Sequence, residues 1–185
     1  LEVQYRGKNY AGSQIQFVGK CKDGTRSERE EPTIQGELEK ALRTLIKSDR
    51  DVTDNTRPIK TIFSGRTDKG VNSLGQVVHF DYDKDIVASK FIYQMNEILP
   101  DDISVSNLRI VPDSFHAQKS AKSRYYRYEF INRRYKQAFD GDILRVKYEI
   151  DIERMQIALN LLLGEHDFSS FKSSGTLNPS KVCFI

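Results

Sequence analysis

The sequence predicts an α+β protein with a mostly antiparallel central sheet and helices packed on one face. Three observations carry that prediction. Apolar residues recur at helical spacing in three stretches, within 34–46, 92–99 and 152–163. Between them stand runs of strand length at 1–5, 59–63, 75–83, 103–105 and 122–132. Several of these runs follow one another too closely for a crossover helix between each pair, which favours antiparallel pairing over βαβ units.

Taken in order, "LEVQY" (1–5) reads as the end of a strand. The polar, glycine-containing stretch 19–31, "GKCKDGTRSEREE", reads as a solvated loop. Thr33, after Pro32, is an N-cap for a helix whose apolar face carries Ile34, Leu38, Ala41, Leu42, Leu45 and Ile46. "IKTIF" (59–63) and "GQVVHFDYD" (75–83) read as strands, with Val78 and Phe80 on one face. Ser89 is the expected cap of a second helix carrying Ile92, Met95, Ile98 and Leu99, stopped by Pro100. A short strand follows at 103–105. "KSRYYRYEFIN" (122–132) alternates strictly, with Arg124, Tyr126, Tyr128 and Phe130 on one side. Asp151 opens a third helix carrying Ile152, Met155, Leu159, Leu162 and Leu163, closed by Gly164.

Composition narrows the class. Apolar content of 38% and charged content of 30% are ordinary for a globular domain of 185 residues, which is long enough to bury a core without staples. Cys21 and Cys183 form no C-x-x-C pair, so neither a disulfide framework nor a zinc site is expected, and a reducing compartment fits best. No apolar run approaches a membrane span, and the N-terminus has no signal-peptide pattern. The chain begins at Leu1 and stops at the apolar "KVCFI", so both ends are expected to be cut.

Chemistry concentrates in "SGRTDKGVNSLGQVVHF" (64–80), where Asp68 stands between Arg66 and Lys69. Its glycines have Walker A spacing, but Val71 and Asn72 occupy the positions a phosphate loop gives to lysine and a hydroxyl. Converging cations would favour an ionised carboxylate, suited to a nucleophile, base or electrostatic stabiliser. Gly65 and Gly70 would give a ligand room. By residue pattern alone the same loop also describes a charged turn solvating a hairpin. His79, His116 and His166 lack metal-ligand spacing. A second feature is distributional: residues 109–136 hold eight Lys/Arg against two acidic residues, a local net of +6 where the whole chain has +3. Phe115, Tyr125, Tyr126, Tyr128, Phe130 and Tyr135 interleave with these cations, a pattern that offers phosphate contacts and stacking surfaces for unpaired bases. The alternative is a strand with an aromatic core side, to which Tyr128 and Phe130 belong more naturally. In "GEHDFSSFKSSGT" (164–176), His166 and Asp167 point apart on an extended chain, and Phe168 and Phe171 read as core anchors.

Together these stretches resemble the TruA family of tRNA pseudouridine synthases. The loop Gly65, Arg66, Thr67, Asp68, Lys69, Gly70, Val71 and the following Leu74, Gly75, Gln76, Val77, Val78, His79, Phe80 match its characteristic motif. "YRGKNYAGSQIQ", "NEILPDDISV", "FHAQ", "RYYRYEF" and "GEHDFSSF" follow in the family's order across nearly the whole chain. The resemblance implies two ferredoxin-like halves, at 1–105 and 106–185, the second incomplete. It implies cofactor-free isomerisation of uridine to pseudouridine in the anticodon stem-loop of tRNA (positions 38–40), by a cytoplasmic homodimer, organellar or nuclear if the source is eukaryotic. Asp68 then matches the catalytic aspartate, Tyr126 the tyrosine against the uracil, and Arg66 the neighbouring arginine. Thr67, Gly70 and Val71 complete the substrate loop, and Lys119, Lys122, Arg124 and Arg127 are expected RNA contacts. The chain departs from the family pattern at Arg6, Ser13, Asn72 and Gln118, and lacks the further helix, strand and basic segment that the family carries beyond "KVCFI". A catalytically idle RNA-binding module on the same fold is the alternative; a nucleoside-sugar hydrolase would require a second carboxylate.

Overall fold

A computed structural model describes residues 1–20, 26–28, 31–48, 59–82, 85–141, 143–171 and 182–185. The chain forms two compact units, Leu1–Arg124 and Tyr125–Ile185. Along the first run β1 (Glu2–Tyr5), a 3-10 turn (Gly7–Asn9), β2 (Phe17–Lys20), β3 (Arg26–Glu28), α1 (Ile34–Ser48), β4 (Ile62–Phe63), β5 (Ser73–His79), α2 (Ala88–Ile98) and β6 (Ile103–Ser106).

Four of these strands make one sheet in the order β4-β5-β1-β6, with every neighbouring pair antiparallel. Strand alternation turns Val3 and Tyr5, Phe63, Val78, and Ile103 and Val105 into one core. The helices cover that same side: α1 contributes Ile34, Leu38, Ala41 and Leu42, and α2 contributes Phe91 and Met95, followed by Leu99. The expectation of an antiparallel sheet with helices on one face is met here.

Local signals account for much of this. Thr33 caps α1 by accepting from the Gly36 N–H at 3.1 Å. The helix is tied down by Gln35 and Glu39. Glu39, 5% exposed, accepts from the backbone N–H of Thr61 at 2.9 Å and its hydroxyl at 3.1 Å, while the Gln35 amide donates to the Thr61 carbonyl at 3.1 Å. Those side chains take the backbone groups that a strand neighbour would use, which is why β4 starts at Ile62 and not at the expected residue 59. Asn96 of α2 likewise satisfies the outer edge of β6, donating to the Val105 carbonyl at 3.0 Å and accepting from its N–H at 2.8 Å.

Several expectations are corrected. The stretch 19–31 is not all loop: Phe17–Lys20 and Arg26–Glu28 pair as an antiparallel hairpin, while residues 21–25, including Cys21, and 29–30 lie outside the described residues. Ser89 stands inside α2, whose cap position is Val87. The buried stripe of α2 is Phe91–Met95–Leu99, one helical turn apart each time, with Ile92 at its edge and Ile98 exposed.

The second unit contains β7 (Phe130–Asn132), β8 (Leu144–Val146), α3 (Ile152–Asn160), β9 (Glu165–Asp167), a 3-10 turn (Ser169–Phe171) and β10 (Val182–Phe184). β7 and β8 pair in parallel, and β9 and β10 antiparallel. The long strand expected at 122–132 shrinks to β7, because only Phe130, Ile131 and Asn132 find partners, at Leu144, Arg145 and Val146. Asp151 does cap α3, accepting from the Arg154 N–H at 2.9 Å. None of the described residues of this unit is buried, so the apolar positions Ile152, Met155 and Leu159 remain exposed, as do Tyr128 and Phe171. Phe168 and Phe171 meet each other, ring centres 5.9 Å apart, and do not anchor a core. No described helix is long and apolar enough to cross a membrane.

The contrast between units gives a direct expectation. Leu38→Ala, at a fully buried site, destabilises the chain by roughly 2–5 kcal/mol in urea unfolding. Leu159→Ala, at an exposed site, changes it by no more than about 0.5 kcal/mol. Equal losses would contradict the described core.

Candidate active site

The charged loop begins where β4 leaves its neighbour. The Ser64 N–H donates to the Val77 carbonyl at 2.8 Å, the last rung of the ladder. Gln76 stands in the inward register of β5 beside Val78, and its amide faces this corner. It donates to the Gly65 carbonyl at 2.7 Å and accepts from the Ser64 hydroxyl at 2.5 Å.

Three residues further, Thr67 is fastened from the N-terminal segment. Its N–H donates to Ser13 Oγ at 2.8 Å, its carbonyl accepts from the Ser13 N–H at 3.0 Å, and its hydroxyl bonds the Tyr5 hydroxyl at 2.8 Å. Asp68 forms an antiparallel bridge with Gly12, and its carbonyl accepts from the Val71 N–H at 3.2 Å to close a turn. Gly70, at φ 82°, supplies the left-handed residue of that turn, with open space where a side chain would stand. Beyond it, the Gly7 N–H donates to Asn72 Oδ1 at 2.8 Å, and a Cβ on Gly7 would lie 2.1 Å from the Val71 carbonyl oxygen. The loop backbone is therefore held on both sides of Asp68, while the Asp68 side chain is 87% exposed.

The charges divide differently from expectation. Arg66 Nε stands 3.8 Å from Asp68 Oδ1, a loose exposed pair. Lys69 turns away to Glu31, Nζ to Oε2 2.9 Å, and so does not join Asp68. Gly65 does not offer free room: the Arg124 side chain lies against it, and the Arg124 guanidinium donates to the Ser64 carbonyl at 2.5 Å. What the arrangement presents is one carboxylate, with one loosely paired, exposed guanidinium beside it, on an anchored loop. That is the geometry of a nucleophile or base acting on a ligand arriving from solvent. Among the described residues no group of three or more His, Cys, Asp or Glu could hold a metal ion.

Lys119 and Lys122 are exposed on the segment that returns toward this loop. The segment is docked by His79, whose Nδ1 accepts from the Ala117 N–H at 3.1 Å, with the His116 ring centre 5.2 Å away. Burial, and next the neighbouring His116, hold His79 below the usual histidine range. Tyr126 and Arg127 belong to the second unit. Tyr126 is 79% exposed, and Arg127 pairs with Glu129 at 3.5 Å. The sequence marks Gln76 only as part of the matched motif and Ser13 only as a departure from the pattern, and marks neither Tyr5 nor Glu31 as a partner of this loop. A polar residue in an inward strand register was the available signal for Gln76; the other partners carry no local mark.

The fold and loop define a class: an α+β protein whose charged loop offers a solvent-facing aspartate beside an arginine. No protein-family model matches the chain. Curated proteins do. It is 39% identical over 181 residues to the tRNA pseudouridine synthase A of Bacillus licheniformis, covering 97% of this chain and 66% of that protein. It is 38% identical to the tRNA pseudouridine synthase A of Lactobacillus acidophilus, with 90% and 61% covered, and 38% identical to that of Listeria monocytogenes, with 97% and 65% covered. The chain belongs to the tRNA pseudouridine synthase A family, and spans slightly less than two thirds of the length of these relatives.

The partial burial of His79, with His116 beside it, makes stability pH-dependent. With the folded pKa lowered, the unfolded chain takes up the proton first as pH falls, so His79 contributes fully above about 6.5 and progressively loses that contribution below it. Between pH 7.5 and 5, His79→Gln is expected to lose less stability than the wild type in parallel urea titrations. An equal or steeper loss in the variant would contradict this.

Proposed function

We propose that this protein isomerises uridine to pseudouridine in tRNA, with Asp68 as the catalytic carboxylate. The observation that carries the reading is the likeness to relatives named tRNA pseudouridine synthase A, joined to an exposed Asp68 on a loop tethered at Ser64, Gly65 and Thr67. The reaction breaks the bond from ribose C1′ to uracil N1 and forms one from C1′ to C5. C5 gives up a proton and N1 gains one, so the balance needs no oxidant, reductant or co-reactant, and no resident cofactor is assigned. Glycoside hydrolases use two carboxylates because water enters and a leaving group must be protonated. Here the leaving base is itself the returning nucleophile, so one anionic group at the ribose serves.

The target uridine must be taken out of its stack, at a cost of a few kcal/mol. Exposed Lys119, Lys122 and Arg127 offset this through phosphate contacts. Tyr126 packs its ring against the uracil, and Arg66, only loosely paired, turns to the flipped nucleotide. Thr67, Gly70 and Val71 shape the floor beneath it; Val71 is 41% exposed and Gly70 has open space above it. The substrate is the anticodon stem-loop of tRNA, bound by a cytoplasmic homodimer. The architecture is two ferredoxin-like halves, a reading supported in the first by the order β1-α1-β4-β5-α2-β6 and the sheet order β4-β5-β1-β6.

Asp68→Asn is expected to reduce pseudouridine formation in tRNA by about a thousandfold or more, with tRNA affinity changed by less than about threefold. Wild-type activity in that variant would sink the assignment. Binding without modification by the wild type would instead support an idle RNA-binding module. Tyr126→Ala should lower kcat far more than it raises KM; equal effects on both would contradict stacking on the reacting base.

A further inference from the structure

We propose that Arg124 is a positioning residue for the Asp68 loop, and that it acts through the Ser64 carbonyl and not through an RNA phosphate. The inference rests on the reading of Asp68 as the catalytic carboxylate. Ser64 and Gly65 form the corner where the chain leaves the sheet, four and three residues before Asp68. Three bonds at this corner come from β5: the Ser64 N–H donates to the Val77 carbonyl, the Gln76 amide N–H donates to the Gly65 carbonyl, and the Gln76 amide oxygen accepts from the Ser64 hydroxyl. The tie to the Ser64 carbonyl comes from Arg124, 60 residues away in sequence, at 2.5 Å. A charged donor on a carbonyl makes a shorter and stronger bond than a neutral one.

The guanidinium reaches that carbonyl because position 65 has no side chain. A Cβ built on Gly65 would lie 2.8 Å from Arg124 Nε, 3.4 Å from Cδ and 3.7 Å from Cζ. The Arg124 chain lies flat over the glycine, and an alanine there would displace the far end of a flexible arginine and not the backbone. Gly65 and Arg124 are thus one device: the glycine admits the arginine, and the arginine fixes the corner. On the far side of Arg66, Thr67 is pinned by Ser13 and Tyr5. Ser64 and Thr67 thus fix the chain entering Asp68, and the bond from the Gly7 N–H to Asn72 fixes the chain leaving it, so only a short span presents the carboxylate. Releasing Ser64 leaves the entering side held at Thr67 alone and spreads the positions that Asp68 samples, which costs turnover steeply because small misplacements of a reacting group are expensive.

The two roles separate in the full-length chain by steady-state kinetics on tRNA over a range of salt concentrations, with amide hydrogen exchange as an independent readout. Positioning predicts that Arg124→Ala lowers kcat about tenfold or more, with KM within about threefold and an unchanged slope of log affinity against log salt. Gly65→Ala does the same, and the double variant is no worse than Arg124→Ala alone, the mark of a shared interaction. The amides of Ser64, Thr67 and Val71, each bonded in the structure, exchange faster in both single variants. A raised KM with unchanged kcat and a salt slope shallower by about 0.7–0.9 would make Arg124 a phosphate contact and overturn the proposal. Additive losses in the double variant would overturn it as well. If the wild type forms no pseudouridine, exchange alone decides: unchanged protection in Arg124→Ala overturns positioning, and faster exchange upholds it while the proposed activity fails.

Discussion

The three-residue backbone Ala11–Gly12–Ser13 joins the helix layer to the charged loop, and the site depends on that junction. On one side it bonds the start of α1: the Ala11 N–H donates to the Pro32 carbonyl at 2.9 Å, the Ile34 N–H to Gly12 at 3.2 Å, and the Gln35 N–H to Ser13 at 2.9 Å. Two of those donors are N–H groups that a helix cannot satisfy within itself. On the other side, Ser13 holds Thr67 through its backbone N–H and its hydroxyl. Ser13 is fully buried, so a polar group is there only because every bond it offers is used. Ser13 is therefore a small side chain in a closed space, with its hydroxyl accepting from the loop's N–H.

Anchoring of the backbone and looseness of the charges serve the same end. The Arg66–Asp68 pair is long and exposed, and pairs of that kind are worth about 1 kcal/mol or less. Arg66 can exchange Asp68 for another anion at little cost. A tight pair would have withheld both groups from a substrate. Lys69, by contrast, makes its close contact with Glu31, before α1, and so ties the loop's outer turn to the segment leading into the helix. Of the two cations flanking Asp68, one is structural and one is available.

Much of this was legible in the sequence because its causes are local. Thr33 with Ile34, Leu38, Ala41 and Leu42 announces α1, and Pro100 ends α2 because Leu99 must be extended before it. Asp68 was legible as a candidate from its glycines and cations, and its ordered companion motifs gave the family. What was hidden depends on partners far along the chain: Gln76 reaching back to Gly65, Ser13 to Thr67, and Arg124 to Ser64. Alternation between residues 122 and 132 misled for a related reason. A period of two reports a chain that could lie in a sheet, but a strand forms only where a neighbour supplies the ladder, and that holds for Phe130–Asn132 alone. Arg124 also shows why alternation is a poor guide there, since its side chain is drawn to the Ser64 carbonyl.

The same distinction separates the two units. α3 has what a helix needs locally, including the Asp151 cap and apolar residues at helical spacing, yet none of its residues is buried. Capping sets where a helix begins; burial supplies most of its stability, and the two need not come from the same segment. The first unit has both. Every tie described at the Asp68 loop, from Tyr5, Gly7, Gly12, Ser13, Glu31, Gln76, Val77 and Arg124, lies within Leu1–Arg124, together with the core beneath it. The geometry of the candidate carboxylate is therefore a property of the first unit, set by that unit's own sheet and N-terminal segment. Tyr126 and Arg127 belong to the second. The presentation of the Asp68 carboxylate is thus a structural problem that the sequence solves with residues that precede Tyr125.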